Sequence, residues 1–282
     1  MRSLLVLATL VLCYASPPSL YSSNLSLVFC DVKRAISDDR VTVASLGTLL
    51  PALVDSMGCN GLRVPLLPTA ASPADFPATL NATLAFARAR GLAIYASPME
   101  GAWAAVGGTR SRYAAWVAAL AEGVRPTHLS CFNEVGGGCP ASGTCMEGVV
   151  VDVRRALAPS APLPLFVGPD AEHVQSSLAD VRSRPQRLNV FDVVSSHNAG
   201  ADPSNDAATW AALVEAAGGR PVWASENPAC FTIDACLRYG SMQTAIAAGV
   251  SGIVSWNTLG DDVAVNGTQS AKGADIARGT RR

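Results

Sequence analysis

Charge is scarce in this chain. Only 15% of its 282 residues are charged, the formal net charge is −1, and aromatic residues make up 6%. No cluster of Lys and Arg interleaved with aromatics occurs, which argues against a nucleic-acid surface and leaves a neutral partner as the better fit. Histidine is limited to His128, His173 and His197, scattered along the chain, and no C-x-x-C pair is present, so the spacing of a zinc finger is missing. No internal repeat, long linker or low-complexity block divides the sequence. Past the N-terminus no apolar run is long enough to span a bilayer, so no stable membrane insertion is expected once a leader is removed.

What the chain does have is hydrophobicity, 49% of its residues, enough to bury a core of barrel size. Residues 1–16 have the layout of a secretory signal peptide: Arg2 near the start, an uncharged stretch from Leu4 to Cys13, and small residues at Cys13 and Ala15. That layout predicts a secreted or extracellular protein, with the cell wall as one destination. Asn24-Leu25-Ser26, Asn81-Ala82-Thr83 and Asn266-Gly267-Thr268 are sequons that agree with export. Of eight cysteines, loss of Cys13 with the leader leaves seven. Cys139 with Cys145 and Cys230 with Cys236 are close pairs, and Cys30 with Cys59 is a third candidate disulfide. Cys131, inside an apolar run, is expected to be a buried free thiol.

From residue 24 onward, apolar runs alternate with amphipathic Ala/Leu-rich stretches, the pattern of parallel α/β architecture. Eight strands are predicted: Leu25 to Cys30, Gly61 to Leu66, Leu92 to Ala96, His128 to Phe132, Pro164 to Gly168, Phe191 to Ser196, Val222 to Ser225 and Gly252 to Trp256. Helices are predicted around Leu46–Met57, Ala74–Arg90, Arg112–Glu122, Glu147–Leu157, Glu172–Arg184, Asp206–Ala217 and Ile233–Ala248. Asp206 is a candidate N-cap, and Gly91 and Gly218-Gly219 are stop signals. The expected fold is one (β/α)8 TIM barrel over residues 24–262, followed by a polar tail, 263–282, that makes a poor closing helix; the last helix is missing or short.

Two glutamates stand out. Glu134 follows the run Thr127 to Asn133, Glu226 follows Pro221 to Ser225, and each precedes a loop containing Gly or Pro. A carboxylate at the carboxyl end of a parallel strand lies at the mouth of a barrel, where such folds place their chemistry. Two facing carboxylates are what glycosidic cleavage requires.

Six short segments, in order, resemble the clan of retaining glycoside hydrolases built on a (β/α)8 barrel, clan A, with family 30 the most similar in flavour. Gly58 to Pro65 is similar to the clan's second strand, with Arg63 as its arginine. Leu92 to Pro98 resembles the third strand of family 30, where a Ser-Pro pair leads to a loop tryptophan, here Trp103. Asn133-Glu134 resembles the fourth-strand pair, Ser196-His197 the sixth-strand histidine, Ser225-Glu226 the seventh-strand nucleophile, and Trp256 the eighth-strand tryptophan. Val135 stands where the clan has proline, and nothing resembles the β-sandwich of family 30.

The resemblance implies a secreted retaining glycosidase acting on an oligosaccharide or polysaccharide, with Glu226 as nucleophile, Glu134 as acid/base, and Asn133, Arg63, His197, Trp256 and Trp103 as substrate-site residues. The charge of Glu226 is expected to raise the affinity of Glu134 for its proton. No metal or organic cofactor is implied. Each residue also has an ordinary use: an ion pair or a surface position for the glutamates, a mid-strand place facing the helices for Arg63, a loop cap for Asn133, a satisfied structural position for His197, packing for the tryptophans. The second reading is a secreted barrel that binds glycan without cleaving it, and a third treats the glutamates as incidental.

Overall fold

The computed structural model describes residues 25–134, 145–159, 162–198, 206–228 and 241–256. Eight parallel strands close into a barrel in sequential order, β1 to β8 and back to β1. The strands are β1 (Leu27–Asp31), β2 (Gly61–Leu66), β3 (Ala93–Pro98), β4 (His128–Ser130), β5 (Leu165–Ala171), β6 (Val193–His197), β7 (Val222–Pro228) and β8 (Gly252–Trp256). The helices between them, among the described residues, are α1 (Lys33–Ser37), α2 (Val43–Met57), α3 (Ala78–Ala89), α4 (Ala102–Ala105), α5 (Arg110–Val124), α6 (Cys145–Leu157), α7 (Val174–Ser183), α8 (Ala207–Ala216) and α9 (Ser241–Ala247). The single (β/α)8 barrel expected from alternation is therefore the fold. The proposed leader 1–16, the tail 263–282 and any helix after β8 lie outside the described residues.

Local chemistry accounts for the boundaries. Thr42 and Ser45 form a reciprocal capping box at the start of α2, and Gly58 ends that helix at φ 67°. The Asp206 side chain accepts from the Thr209 backbone N–H at 2.7 Å and caps α8. The expected helix over 74–90 begins only at Ala78, because Pro73–Asp75 forms a separate 3₁₀ turn closed by Ser72 and Asp75. Two short helices, α1 and α4, carry too few residues to show an apolar period, and the sequence reading misses both.

The barrel interior is filled at its floor by Phe29, Tyr95, Val167, Val193, Trp223 and Val254. Trp223 lies 5.2 Å from Phe29 and 4.6 Å from His128, ring centre to ring centre. Gly61 and Gly252 make room for these rings, since a Cβ on Gly61 would collide with Phe29 and one on Gly252 with Trp223. Burial pushes the His128 imidazole down to about 4, so it sits in this aromatic floor as a neutral ring.

Cys30 and Cys59 are joined in a disulfide that ties β1 to the turn before β2. Cys131 is a buried free thiol, its proton affinity raised by burial. Cys145 is also disulfide-bonded, whereas Cys139, Cys230 and Cys236 lie outside the described residues. Among the sequons, Asn81 is on an exposed position of α3 and Thr83 is buried, donating its hydroxyl to the Thr79 carbonyl; Asn24 and Asn266 fall outside the described residues. No helix among the described residues is long and apolar enough to cross a membrane.

Candidate active site

At the carboxyl end of the barrel, parallel register sets side by side the residues that matter. Asp31 of β1 pairs with Arg63 of β2, Arg63 with Tyr95 of β3, and His197 of β6 with Glu226 of β7. Glu226 does not follow its strand, as the sequence reading has it, but lies inside β7, which continues to Pro228. Its backbone carbonyl accepts from the Asn198 N–H at 2.8 Å, and a register shift between β6 and β7 falls at His197. Glu134 stands four residues beyond β4, which is only three residues long instead of the five expected. It adopts φ 52°, an unusual conformation for a residue with a Cβ, and its N–H donates to the Asp170 carbonyl at 3.1 Å.

Arg63 is wholly buried and all arms of its fork are engaged. Nη1 donates to Glu226 Oε2 at 2.5 Å and to Asp31 Oδ2 at 2.9 Å, Nη2 donates to Asn133 Oδ1 at 2.6 Å, and Nε donates to Ser97 Oγ at 3.0 Å. A planar guanidinium with this many fixed partners holds the Glu226 carboxylate in one orientation, which a flexible ammonium would not. Lys33, the first residue of α1 and 1% exposed, donates from Nζ to Asn133 Oδ1 at 2.8 Å and lies 4.0 Å from Glu226. Asn133 Oδ1 thus accepts from two cations, which fixes the amide orientation. Its Nδ2 is buried with no partner among the described residues. An unpaired buried donor is costly, so a ligand acceptor placed there would be strongly held.

His197 is fully buried between the two glutamates, with Nδ1 3.3 Å from Glu134 Oε1 and 3.7 Å from Glu226 Oε2. The three side chains offer donor atoms that all lie within 4.8 Å of one another. Such a triad could reach a single cation, but Arg63 and Lys33 already bring two positive charges to Glu226, and a divalent ion there would meet their repulsion.

The two carboxylates are electrostatically unlike. The Glu134 side chain is 30% exposed and that of Glu226 only 8%. Burial raises the Glu226 carboxyl, but His197, Arg63 and Lys33, together with the Arg63 hydrogen bond, outweigh it and hold the group at about 2. Glu134 is also held below the usual carboxylate range. The hydrogen bond with His197 is the largest influence; burial and the charge of Glu226 push the other way and lose. Glu226 does raise the proton affinity of Glu134, as expected, but the hydrogen bond with His197, which the sequence did not show, outweighs it.

Glu134, Glu226, Arg63, Asn133 and His197 are therefore brought together. Trp256 ends β8 opposite Pro228 of β7, which puts its backbone on the rim near Glu226. Trp103 is half-buried in α4 with its ring 5.0 Å from Tyr113, and its contacts there are core packing. Sequence reasoning missed Asp31 and Lys33. Burial raises the Asp31 carboxyl against the pull of Arg63 and Lys33, and burial followed by repulsion from Arg63 lowers the Lys33 ammonium. The available signal was a pair of opposite charges, Asp31 and Lys33, at the end of a strand otherwise apolar.

No family model and no curated protein matches the chain. Solved structures do. The catalytic domain of the family 30 xylanase C from Talaromyces cellulolyticus superposes with a TM-score of 0.57 at 14% identity, covering 85% of this chain and 69% of that one. The catalytic domain of endoglucanase Cel5A from Thermobifida fusca gives 0.55 at 16% identity, covering 83% and 79%. The catalytic domain of a mannanase from Streptomyces sp. SirexAA-E gives 0.55 at 19% identity, covering 90% and 85%. At these identities the likeness is one of fold: the chain carries the barrel found in these three catalytic domains.

Proposed function

We propose that this chain is a clan A glycoside hydrolase that cleaves O-glycosidic bonds by double displacement, with Glu226 as nucleophile and Glu134 as acid/base. One observation carries the reading: the carboxylates of Glu134 and Glu226 approach within 4.8 Å at the mouth of the barrel, with Arg63 bound to Glu226. Retaining enzymes set their carboxyl groups about 5–5.5 Å apart, whereas inverting ones leave about 6.5–9.5 Å for a water molecule. The chain shares its barrel with a xylanase, an endoglucanase and a mannanase, which fits a carbohydrate substrate.

In the first step Glu226, ionised and oriented by Arg63, attacks the anomeric carbon as the bond to the leaving oxygen breaks. Glu134 gives that oxygen its proton. In the second step Glu134 takes a proton from water as the water attacks the anomeric carbon and releases Glu226. The free site favours ionised Glu134, so substrate must counter the His197 hydrogen bond before the first step. A sugar seated against Glu134 removes water from a carboxyl that is now partly exposed, and desolvation favours the protonated form. Once Glu226 is esterified its charge is gone, which lowers the proton affinity of Glu134 for the return step. Asn133, with Oδ1 fixed by Lys33 and Arg63, presents Nδ2 as a donor to a sugar hydroxyl. Trp256 is the candidate apolar face for the ring. The layout of residues 1–16 supports export, with carbohydrate met outside the cell.

The test is mass spectrometry of the protein after incubation with a panel of fluorosugar inactivators, followed by peptide mapping. Covalent mass on the Glu226 peptide, absent in Glu226→Gln, is the expected result and identifies the sugar. No adduct across a broad panel, with glycan still retained on an array, would replace this reading with a binding-only barrel.

A further inference from the structure

Asp170 is a buried carboxylate that the chemistry above does not use. It lies in β5, is wholly inaccessible, and adopts φ 56°. Its Oδ2 accepts from the Tyr95 hydroxyl at 2.6 Å, and its Oδ1 accepts from the hydroxyls of Ser195 and Ser225, each at 2.5 Å. Those three donors come from β3, β6 and β7, and Ser225 is the immediate chain neighbour of Glu226. The backbone carbonyl of the same residue accepts the Glu134 N–H at 3.1 Å. Two residues in the left-handed region, Asp170 and Glu134, are thus hydrogen-bonded to each other where β5 loses register with β6 between Pro169 and Ala171.

Burying a charge is costly, and in a barrel core an apolar side chain of similar volume would usually serve stability as well or better. This carboxylate is kept ionised nonetheless. Burial raises it, while His197, Arg63 and the two serine hydroxyls overcome the burial. Tyr95, its own proton held by burial and by the charge of Asp170, is fixed as the donor. Its ring also lies under the Arg63 guanidinium, 5.5 Å from ring centre to Cζ. Through side chain and backbone, one residue touches the loop carrying Glu134, the strand carrying Glu226, the strand carrying His197 and the ring beneath Arg63.

We propose that Asp170 is a positioning residue that sets the placement of Glu134 relative to Glu226 and His197. Its side chain ties β3, β6 and β7 to β5, and its carbonyl pins Glu134 in the conformation that brings the glutamate within reach of His197. It touches no substrate. Its kinetic consequence rests on the glycosidase reading; its structural consequence does not.

Ser195→Ala, which keeps the charge of Asp170, separates positioning from plain electrostatics, because Asp170 and His197 also interact by charge. In Asp170→Asn the negative charge is lost, which by itself makes Glu134 easier to ionise and lowers its midpoint. If Asp170 positions Glu134, the variant also loosens the Glu134–His197 hydrogen bond, and losing the largest influence that holds Glu134 down raises its midpoint. The measurement is carboxyl carbon NMR of the full chain with labelled glutamate, followed through pH in the wild type, Asp170→Asn and Ser195→Ala, with signals assigned by Glu134→Gln and Glu226→Gln. An upward shift of Glu134 is expected in Asp170→Asn, and a smaller one in Ser195→Ala, which keeps the charge. A downward shift or none in folded Asp170→Asn would overturn the proposal. Should that variant fail to fold, Ser195→Ala decides alone, a fixed Glu134 midpoint counting against positioning. Where the wild type turns over a glycoside, Asp170→Asn is expected to lower kcat about 100-fold with KM within about threefold, the cost of misplacing a reacting group by about 1 Å. A wild type that forms no glycosyl adduct would remove the glycosidase reading and leave the titration result to stand by itself.

Discussion

Arg63 and Glu226 meet through a single nitrogen: Nη1 donates to Oε2 at 2.5 Å, in a setting where the arginine is fully buried and the same nitrogen also serves Asp31. One guanidinium shared by two carboxylates gives Glu226 both its orientation and much of its acidity.

Arg63→Lys keeps the charge and loses the fork. Because Lys cannot hold Glu226, Asp31, Asn133 and Ser97 at once, kcat is expected to fall about 100-fold or more with little change in KM. Arg63→Ala removes the guanidinium shared by two buried carboxylates and is expected to destabilise the fold by about 3–5 kcal/mol. Steady-state kinetics and thermal melts check the two effects separately; wild-type kcat in Arg63→Lys would refute the orienting role.

His197 bonds to Glu134 and holds it below the usual carboxylate range. In a retaining mechanism the basic limb of kcat/KM reports the free enzyme's acid. His197→Ala removes the hydrogen bond that favours ionised Glu134, so the limb is expected to move to higher pH even as kcat falls. A limb that stays put, or moves to lower pH, would separate His197 from control of Glu134.

Glu226 carries a pH-dependent share of stability. Its carboxyl is lowered from 4.5 to about 2 on folding, so the contribution is fully present above about 4.5 and is lost as pH falls through about 2. The amount is on the order of 3 kcal/mol. Asp31 acts with the opposite sign, because burial raises its carboxyl and the unfolded chain ionises first as pH rises. The informative quantity is therefore the difference between wild type and Glu226→Gln in chemical denaturation from pH 5 down to pH 2, which is expected to shrink on acidification. A constant difference over that range would contradict it.

The Cys30–Cys59 disulfide spans a sequence separation of 29 and ties β1 to the turn before β2. Chain entropy assigns such a closure about 3–4 kcal/mol. Cys30→Ala/Cys59→Ala is expected to lower the melting temperature while leaving the Glu134 and Glu226 midpoints in place, since the side-chain hydrogen bonds that hold those carboxylates come from His197 and Arg63.

Periodicity and strand-end chemistry are local properties, and they were written in the chain. The runs at Gly61–Leu66 and Gly252–Trp256 match their strands to the residue, Asp206 caps its helix, and the alternation of apolar runs with amphipathic stretches specifies a parallel barrel. That Glu134 lies past the carboxyl end of β4, and that Arg63, Asn133 and His197 resemble a known pattern, were legible for the same reason. Which charges meet was not. Lys33 lies in a five-residue helix with no apolar period of its own, and its role comes from lying 2.8 Å from Asn133, a hundred residues further along the chain. Asp170 falls between a predicted strand and a predicted helix and draws no notice in the sequence; barrel closure brings hydroxyls from three other strands around it. The sign of the Glu134 shift needed one more fact, the 3.3 Å approach of His197, set by the bulged register between β6 and β7. A hydrogen bond or a buried charge depends on tenths of an ångström and on what excludes water, and only the closed barrel fixes those between residues so far apart in sequence.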